Sequence, residues 1–132
     1  MKKQLKILIS MINIIMFFAG CSFSAGKVDN VNITIGTSSM FSKEEIDQAI
    51  NVVKLKFKSL KGCELIELWY DEEEMILNSG VTTGNVIVLY SKFQARDESS
   101  PGLDPNIIYK WHWTLIRENS TSKWVVSTYG GP

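Results

Sequence analysis

The sequence predicts an α+β fold, in which one amino-terminal helix packs on a four-stranded antiparallel sheet. One amphipathic helical pattern, from Lys43 to Lys61, comes first. The chain after it consists of strand-length apolar runs separated by turns rich in Gly, Pro, Ser and Asn. No crossover helix of adequate length lies between these runs, which excludes an all-parallel sheet. A chain of 132 residues forms at most one domain.

The first twenty residues have the composition of a targeting segment. Lys2, Lys3 and Lys6 make a positive start, and a thirteen-residue, mostly apolar run from Ile7 to Ala19 follows. A transmembrane helix needs about 20 apolar residues, so the run fits a signal peptide better. We therefore expect this segment to be a leader and not part of the fold.

The leader ends in Phe18-Ala19-Gly20-Cys21. This ending resembles the bacterial lipobox, in which small residues precede an obligatory cysteine, although the lipobox usually has Leu in place of Phe18. The resemblance implies that the Cys21 thiol carries a diacylglycerol and that cleavage occurs just before it. It also implies an acylated (palmitate-type) lipoprotein on the extracytoplasmic side of a bacterial cell membrane. The alternative is an ordinary signal peptide cut nearby, with Cys21 incidental.

Residues 21–40 are expected to form a lipid-anchored tether, because Ser22 to Asn30 are mostly small or polar and offer little to bury. Apolar and polar residues alternate from Val31 to Gly36, which indicates a short edge strand within this region. The α+β domain is expected to span residues 41–132.

Cysteine use predicts no metal site. Cys63 is the only cysteine that remains if Cys21 is acylated, and no metal-ligand spacing is present. A Cys21–Cys63 disulfide is the alternative. We expect no cofactor.

The helix has clear start and stop signals. Ser42 and Glu45 have the spacing of a capping box. Gly62 can end the helix in the left-handed conformation. Apolar residues recur between these points on one helical face: Ile46, Ala49, Ile50, Val53, Phe57 and Leu60.

Strand patterns dominate the rest of the chain. The segment from Asp71 to Asn78 is ambiguous, although its three consecutive Glu residues favour the first turn of a helix. The turn-forming residues between Asp97 and Asn106 predict a loop. Four strands are expected: Cys63–Tyr70, Val86–Phe93, Ile107–Arg117 and Lys123–Tyr129.

Net charge excludes two classes of function. The chain has fourteen basic and fourteen acidic residues, and three of the basic ones lie in the leader. The rest of the chain therefore has a net charge of −3. This value excludes a nucleic-acid binder that works by bulk electrostatics, and it excludes a polybasic membrane-surface module.

The order of elements resembles two known groups of proteins. A helix followed by strands that end in an aromatic hairpin is similar to the cystatin-like and nuclear-transport-factor-like rolls, although full-size rolls have two or three amino-terminal helices. The chain also resembles a family of small secreted lipoproteins of Gram-positive bacteria, a domain of unknown function. These resemblances imply a fold and an address but no activity. They rest on Phe41–Ile46, Trp69–Glu73, Asn85–Leu89, Trp111–Arg117 and Lys123–Val126.

Aromatic residues are the best candidates for ligand binding. Trp69, Tyr109, Trp111 and Trp113 could form a platform on which a carbohydrate or peptide stacks. The alternative is that these residues are core packed beneath the helix.

No catalytic constellation appears in the sequence. His112 is the only histidine, which excludes catalytic sites built from several histidines. Glu64 and Glu67 are expected on opposite faces of one strand and so do not form a carboxylate pair.

The function expected is therefore that of a non-catalytic binding or interaction domain. One alternative is a small enzyme of the roll fold, with Tyr90 or Tyr109 in an apolar cavity. The other is a cystatin-like inhibitor or immunity protein that uses the Asp97–Asn106 loop or the last hairpin.

Two strands, Leu65–Tyr70 and Val86–Phe93, are apolar on both faces, whereas one helix covers only one face. The second face must be covered by Val31–Ile35, by Met75–Leu77 or by another chain. We therefore expect either such a cover or a homodimer or protein partner that binds through a sheet face.

Replacement of Cys21 tests the membrane anchor. We expect cells fed a clickable fatty acid to label the wild-type protein, and Cys21→Ala to abolish the label because no thiol remains at the cleavage site. Cys63→Ala is the matched control and should keep full labelling. Recovery of the wild-type protein from the cytosol with Met1 attached and no lipid mass would contradict the prediction.

Overall fold

A computed structural model of the chain describes residues 25–96 and 102–132, so Cys21 and the expected leader lie outside the described residues. The strands form one sheet in the order β1-β2-β3-β4-β5. Strand β1 is parallel to β2, and the other neighbours are antiparallel. The elements are β1 (Asn32–Ile35), α1 (Lys43–Phe57), β2 (Cys63–Tyr70), α2 (Glu72–Ser79), β3 (Val86–Ala95), β4 (Ile108–Ile116) and β5 (Val125–Gly130).

The α+β class is confirmed, but two details of the expected fold are wrong. The described residues contain two helices instead of one, and five strands in a mixed sheet instead of four antiparallel strands. Strand β1 is parallel to β2 because α1 connects them as a crossover helix, the connection that parallel strands require. The segment after Asp71 becomes α2, because the Asp71 carboxylate accepts a hydrogen bond from the Glu74 amide (3.0 Å) and caps the helix.

Helix α1 begins as its sequence predicts. The Ser42 hydroxyl accepts a hydrogen bond from the Glu45 amide, and the Glu45 carboxylate accepts one from the Ser42 amide (3.2 and 2.9 Å). The helix ends at Phe57, four residues before the expected end at Lys61. Tight turns with i to i+3 hydrogen bonds occupy the residues that follow, up to Gly62, whose φ of +74° favours glycine.

Residues assigned from the sequence to the tether are bonded to the folded body. The Gly26 amide donates to the Lys58 carbonyl (3.0 Å), and the Lys27 amide donates to the Cys63 carbonyl (2.8 Å). A Cβ atom at position 26 would lie 2.3 Å from the Phe57 carbonyl oxygen, so glycine permits this close approach. The chain is therefore fixed to the end of α1 from Gly26 onward.

The main core lies between α1 and one face of the sheet, which we call the inner face. Phe57 contacts Phe93 and Trp113 there, with ring centroids 5.6 and 6.4 Å apart. Burial of these apolar surfaces is the main stabilising term of the fold. The buried residues of α1 are Ile46, Ala49, Ile50, Val53 and Phe57.

Helix α2 covers part of the opposite face, which we call the outer face. Met75 is fully buried, and its sulfur lies 3.4 Å from the Val88 amide. The Tyr90 hydroxyl donates to the Glu74 carbonyl of the same helix (3.4 Å). Val88 and Tyr90, which alternation places on the outer face of β3, are therefore buried by residues of this chain.

A buried charge connects α1 to the far end of the sheet. The Arg117 side chain is only 5% exposed and forms an ion pair with Glu45. Its guanidinium donates two hydrogen bonds to the Gly84 carbonyl and lies 4.2 Å from the ring centroid of Trp124. Through these contacts Arg117 holds the start of α1 against the residues that precede β3 and β5.

Replacement of Phe57 tests the packing of α1. We expect Phe57→Ala to lower the free energy of unfolding by about 3–5 kcal/mol, because it leaves a cavity between the helix and the sheet. Leu55 of the same helix is 69% exposed, so Leu55→Ala should change the free energy of unfolding by less than about 0.5 kcal/mol. Urea denaturation of the chain from residue 22 onward measures both, and equal losses would contradict the packing described.

Candidate functional site: a groove on the outer face

A groove of about 420 Å³ lies on the outer face of the sheet, on the side opposite α1. Its floor comes from β3 and β4, where Val88 pairs with Thr114 and Tyr90 pairs with His112. Directly paired residues of antiparallel strands share one face, so these four side chains lie together. The other residues that line the groove are Asn78, Ser79, Lys110, Trp111 and Pro132.

A charged and aromatic cluster adjoins the floor. The rings of Trp69 and Tyr90 stack, with centroids 6.0 Å apart. The Lys110 ammonium lies 5.5 and 5.7 Å from these two centroids and 3.1 Å from a Glu74 carboxylate oxygen. The Trp69 indole N–H donates to the other Glu74 oxygen (3.0 Å). Glu74 therefore balances the charge of Lys110 and fixes its position beside the aromatic rings.

Burial raises the pKa of Tyr90, an effect partly offset by a hydrogen bond from the Asn78 side chain. The phenol is therefore protonated at neutral pH and acts as a hydrogen-bond donor. Its hydroxyl already reaches the Glu74 carbonyl. The β3 side of the groove thus presents Val88 and an uncharged phenol, whereas Lys110, His112 and Thr114 of β4 contribute an ammonium, an imidazole and a hydroxyl.

The Glu72 carboxylate holds α2 in place above the groove through a set of hydrogen bonds that we call the clamp. Glu72 accepts hydrogen bonds from the Ser38 hydroxyl (2.6 Å), the Ser39 amide and hydroxyl (3.0 and 2.9 Å), the Met40 amide (3.2 Å) and the Tyr70 hydroxyl (3.0 Å). These bonds, that from Ser38 above all, lower the pKa of Glu72 to about 2. Burial raises the pKa of Tyr70 to about 12, so its hydroxyl remains a donor.

The structure separates the four aromatic residues proposed as a platform. Trp113 is fully buried beneath α1, and its indole N–H donates to the Ser91 hydroxyl (2.8 Å). Trp111 and Tyr109 also belong to the inner face, where both rings pack on Phe93 (4.7 and 5.4 Å). Trp69 pairs with Tyr90 and lies on the outer face. Three of these rings therefore share one face with the core, with Trp111 also bordering the groove, and Trp69 lies beside the groove on the outer face.

The sequence pattern groups some of the residues that line the groove but not all of them. The alternation along β4 identifies Lys110, His112 and Thr114 as one polar face. Nothing in the local pattern indicates that Asn78 and Ser79 lie near them, because α2 folds back over β3 and is itself distant from β4 in sequence.

The expected separation of Glu64 and Glu67 is wrong. A β-bulge between Leu65 and Glu67 shifts the register, so that Glu64 pairs with Gln94 and Glu67 pairs with Lys92. Both carboxylates therefore belong to the outer face. Simple alternation fails here because the extra residue, Ile66, reverses the direction of every later side chain.

Across residues 25–96 and 102–132, no group of three or more His, Cys, Asp or Glu side chains is placed to hold a metal ion. Neither helix in these ranges has the length and hydropathy needed to cross a bilayer. The Asp97–Asn106 loop proposed for an inhibitor lies partly outside the described residues.

Comparisons with family models, with curated proteins and with solved structures each return no match. The fold and the groove define the class of molecule by themselves: a small α+β domain with an open, ligand-sized groove on the sheet face away from its main helix.

Replacement of Glu72 tests the clamp. Because its pKa is about 2 in the folded state and 4.5 ordinarily, the clamp stabilises the fold fully above pH 4.5 and loses that effect as the pH falls toward 2. We expect Glu72→Gln to cost about 1–2 kcal/mol at pH 7, since the carboxylate is partly solvated, and to flatten the acid limb of the stability curve. Urea denaturation between pH 2 and about 7 measures both effects.

The neighbouring exposed Glu73 gives the control. Glu73→Gln should leave the stability and its pH dependence close to those of the wild type. An acid limb that is unchanged in Glu72→Gln would show that other carboxylates cause it.

Proposed function

We propose that the protein is a lipid-anchored, extracytoplasmic, non-catalytic domain that binds a small ligand in the outer-face groove. The observation that carries this proposal is the groove itself, which combines apolar and polar side chains from β3, β4, α2 and the carboxyl terminus. The proposed address rests on the lipobox-like ending at Cys21.

The size and lining of the groove support binding of a small molecule. Ligand pockets typically measure about 300–1,000 Å³ and combine apolar walls with a few polar groups that fix the orientation. Val88 and Tyr90, which are 2% and 5% exposed, form its apolar base, and Lys110, His112 and Thr114 supply hydrogen-bonding groups along one side. This arrangement favours a ligand with a flat apolar body and hydrogen-bond acceptors at one edge.

The arrangement of charges favours binding over catalysis. Lys110 is held in an ion pair with Glu74, and the raised pKa of Tyr90 keeps its phenol protonated at neutral pH, which suits hydrogen bonding rather than removal of a proton. Trp69 stacks on Tyr90 beside these groups and extends the aromatic surface. Stacking on such rings and contact with the ammonium are typical of ligand recognition.

One observation favours a second candidate, a small enzyme of the roll type. His112 and Tyr90 are direct cross-strand neighbours and both line the groove. An imidazole and a protonated phenol at one site can serve as general base and acid. His112→Gln distinguishes the two functions, because it should abolish turnover in an enzyme but only modestly weaken binding in a ligand-binding domain.

A blocked groove tests the proposed binding. Anilinonaphthalene sulfonate, an aromatic probe with one anionic group, should bind the wild-type protein with a blue-shifted emission. We expect Thr114→Trp to reduce this binding at least about tenfold, because an indole would fill the floor opposite Val88. Fluorescence titration measures the dissociation constants.

The matched control places the same side chain outside the groove. Thr121→Trp, in the exposed β4–β5 turn, should bind the probe as the wild type does. Equal probe binding by Thr114→Trp and wild type, with both proteins fully folded by circular dichroism, would exclude the groove as the binding site.

A further inference from the structure

The position at which the chain enters the folded body restricts how a lipid anchor can hold it. Gly26 is bonded to Lys58 at the carboxyl-terminal end of α1, and Cys21 precedes it by only five residues. Five residues span at most about 18 Å when fully extended. A body of this size has a radius of gyration of about 13 Å, so the anchor reaches one end of the molecule only.

That end consists of neighbouring segments that the sheet brings together. Cys63, at the start of β2, pairs with Ala95, at the end of β3, and Gln94 pairs with Ile108, at the start of β4. Because Lys27 is bonded to Cys63, the entry point, the end of α1 and the start of β4 lie at the same end of the sheet. We call it the anchor end.

The side chains of the anchor end suit a bilayer interface. Ile107 and Ile108 are 47% and 60% exposed. Lys27 and Lys58 are exposed and make no ion pair within the part of the chain that the structure describes. Apolar side chains beside lysines are typical of surfaces that enter the headgroup region of anionic membranes.

The described residues at this end also include acids. Glu64 lies opposite Lys27 in an isolated bridge, Asp29 lies two residues after Lys27, and Asp104 lies three residues before Ile107. The local lysines do not bind a membrane by themselves, in keeping with the net charge of −3, but they bias which end faces the lipid once the acyl chains supply the affinity.

We propose that the anchor end lies against an anionic phospholipid surface, with Ile107 and Ile108 in the headgroup region and Lys27 and Lys58 on lipid phosphates. The proposal rests on the proposed acylation of Cys21. It has a consequence for the groove, which extends from Lys110, two residues along β4 from Ile108, to Val88, seven residues or about 23 Å along β3 from Ala95. The Val88 end of the groove is thereby held away from the anchor end, where it can meet a dissolved ligand.

Depth-dependent quenching tests this orientation on the full-length lipidated protein. Single Ile108→Cys and Ser120→Cys variants receive an environment-sensitive fluorophore; Cys63 is fully buried and does not compete for it. Ser120 lies in the β4–β5 turn, at the opposite end of β4. Both proteins are reconstituted into phosphatidylcholine–phosphatidylglycerol vesicles that contain brominated lipid.

We expect quenching several-fold greater at position 108 than at position 120. The difference should shrink in pure phosphatidylcholine vesicles and in a Lys27→Gln, Lys58→Gln double variant. Equal quenching at the two positions, in protein that floats with the vesicles and carries the lipid mass, would overturn the orientation and leave the proposed function standing.

Two other outcomes also overturn the orientation. A fluorophore at position 108 that escapes quenching while Ile108→Cys cross-links to a second copy would assign the anchor end to a dimer interface. Protein that neither floats nor carries a lipid mass would overturn the acylation of Cys21 and the orientation together, and mass spectrometry separates that case from the first.

Discussion

Packing of α1 on the inner face of the sheet is the contact on which the rest of the structure depends. It buries a continuous apolar stripe against the central strands, with Phe57 between Phe93 and Trp113. Alternate side chains of a strand point to opposite faces of the sheet. Because one face of β3 and β4 packs in this core, every second side chain of these strands lies on the outer face. Val88, Tyr90, His112 and Thr114 line a groove as a consequence of that choice.

Two carboxylates fix the helices on either side of the sheet. Glu45 accepts the Ser42 amide at the start of α1 and pairs with buried Arg117, so one side chain serves both the helix cap and the tertiary contact. Its pKa is lowered, with the backbone hydrogen bond from Ser42 as the main cause. Glu72 holds the start of α2 in a similar way, because its carboxylate accepts hydrogen bonds from the Ser38–Met40 segment. Both helices are thereby positioned by charge-assisted hydrogen bonds at their first turns.

The groove and the anchor end lie along the same strands, and this arrangement links the two proposals. Strand β3 runs from the groove at Val88 to Ala95 at the anchor end. A short connection to a lipid would hold one end at the bilayer and present the other to water. Lys110 takes part in two kinds of contact beside the groove. Glu74 balances its charge, and its ammonium lies over the rings of Trp69 and Tyr90.

The sequence by itself determined those features of the fold that depend only on residues close together in the chain. The capping box set the start of α1 at Lys43, and the strand-like pattern from Cys63 to Tyr70 set both ends of β2. Tertiary structure alone decided the parallel pairing of β1, the outer-face position of Trp69 and the effect of the bulge at Ile66. Caps and periodicity are local interactions that a short segment expresses alone, whereas register and the choice of face depend on partners that are distant in the chain.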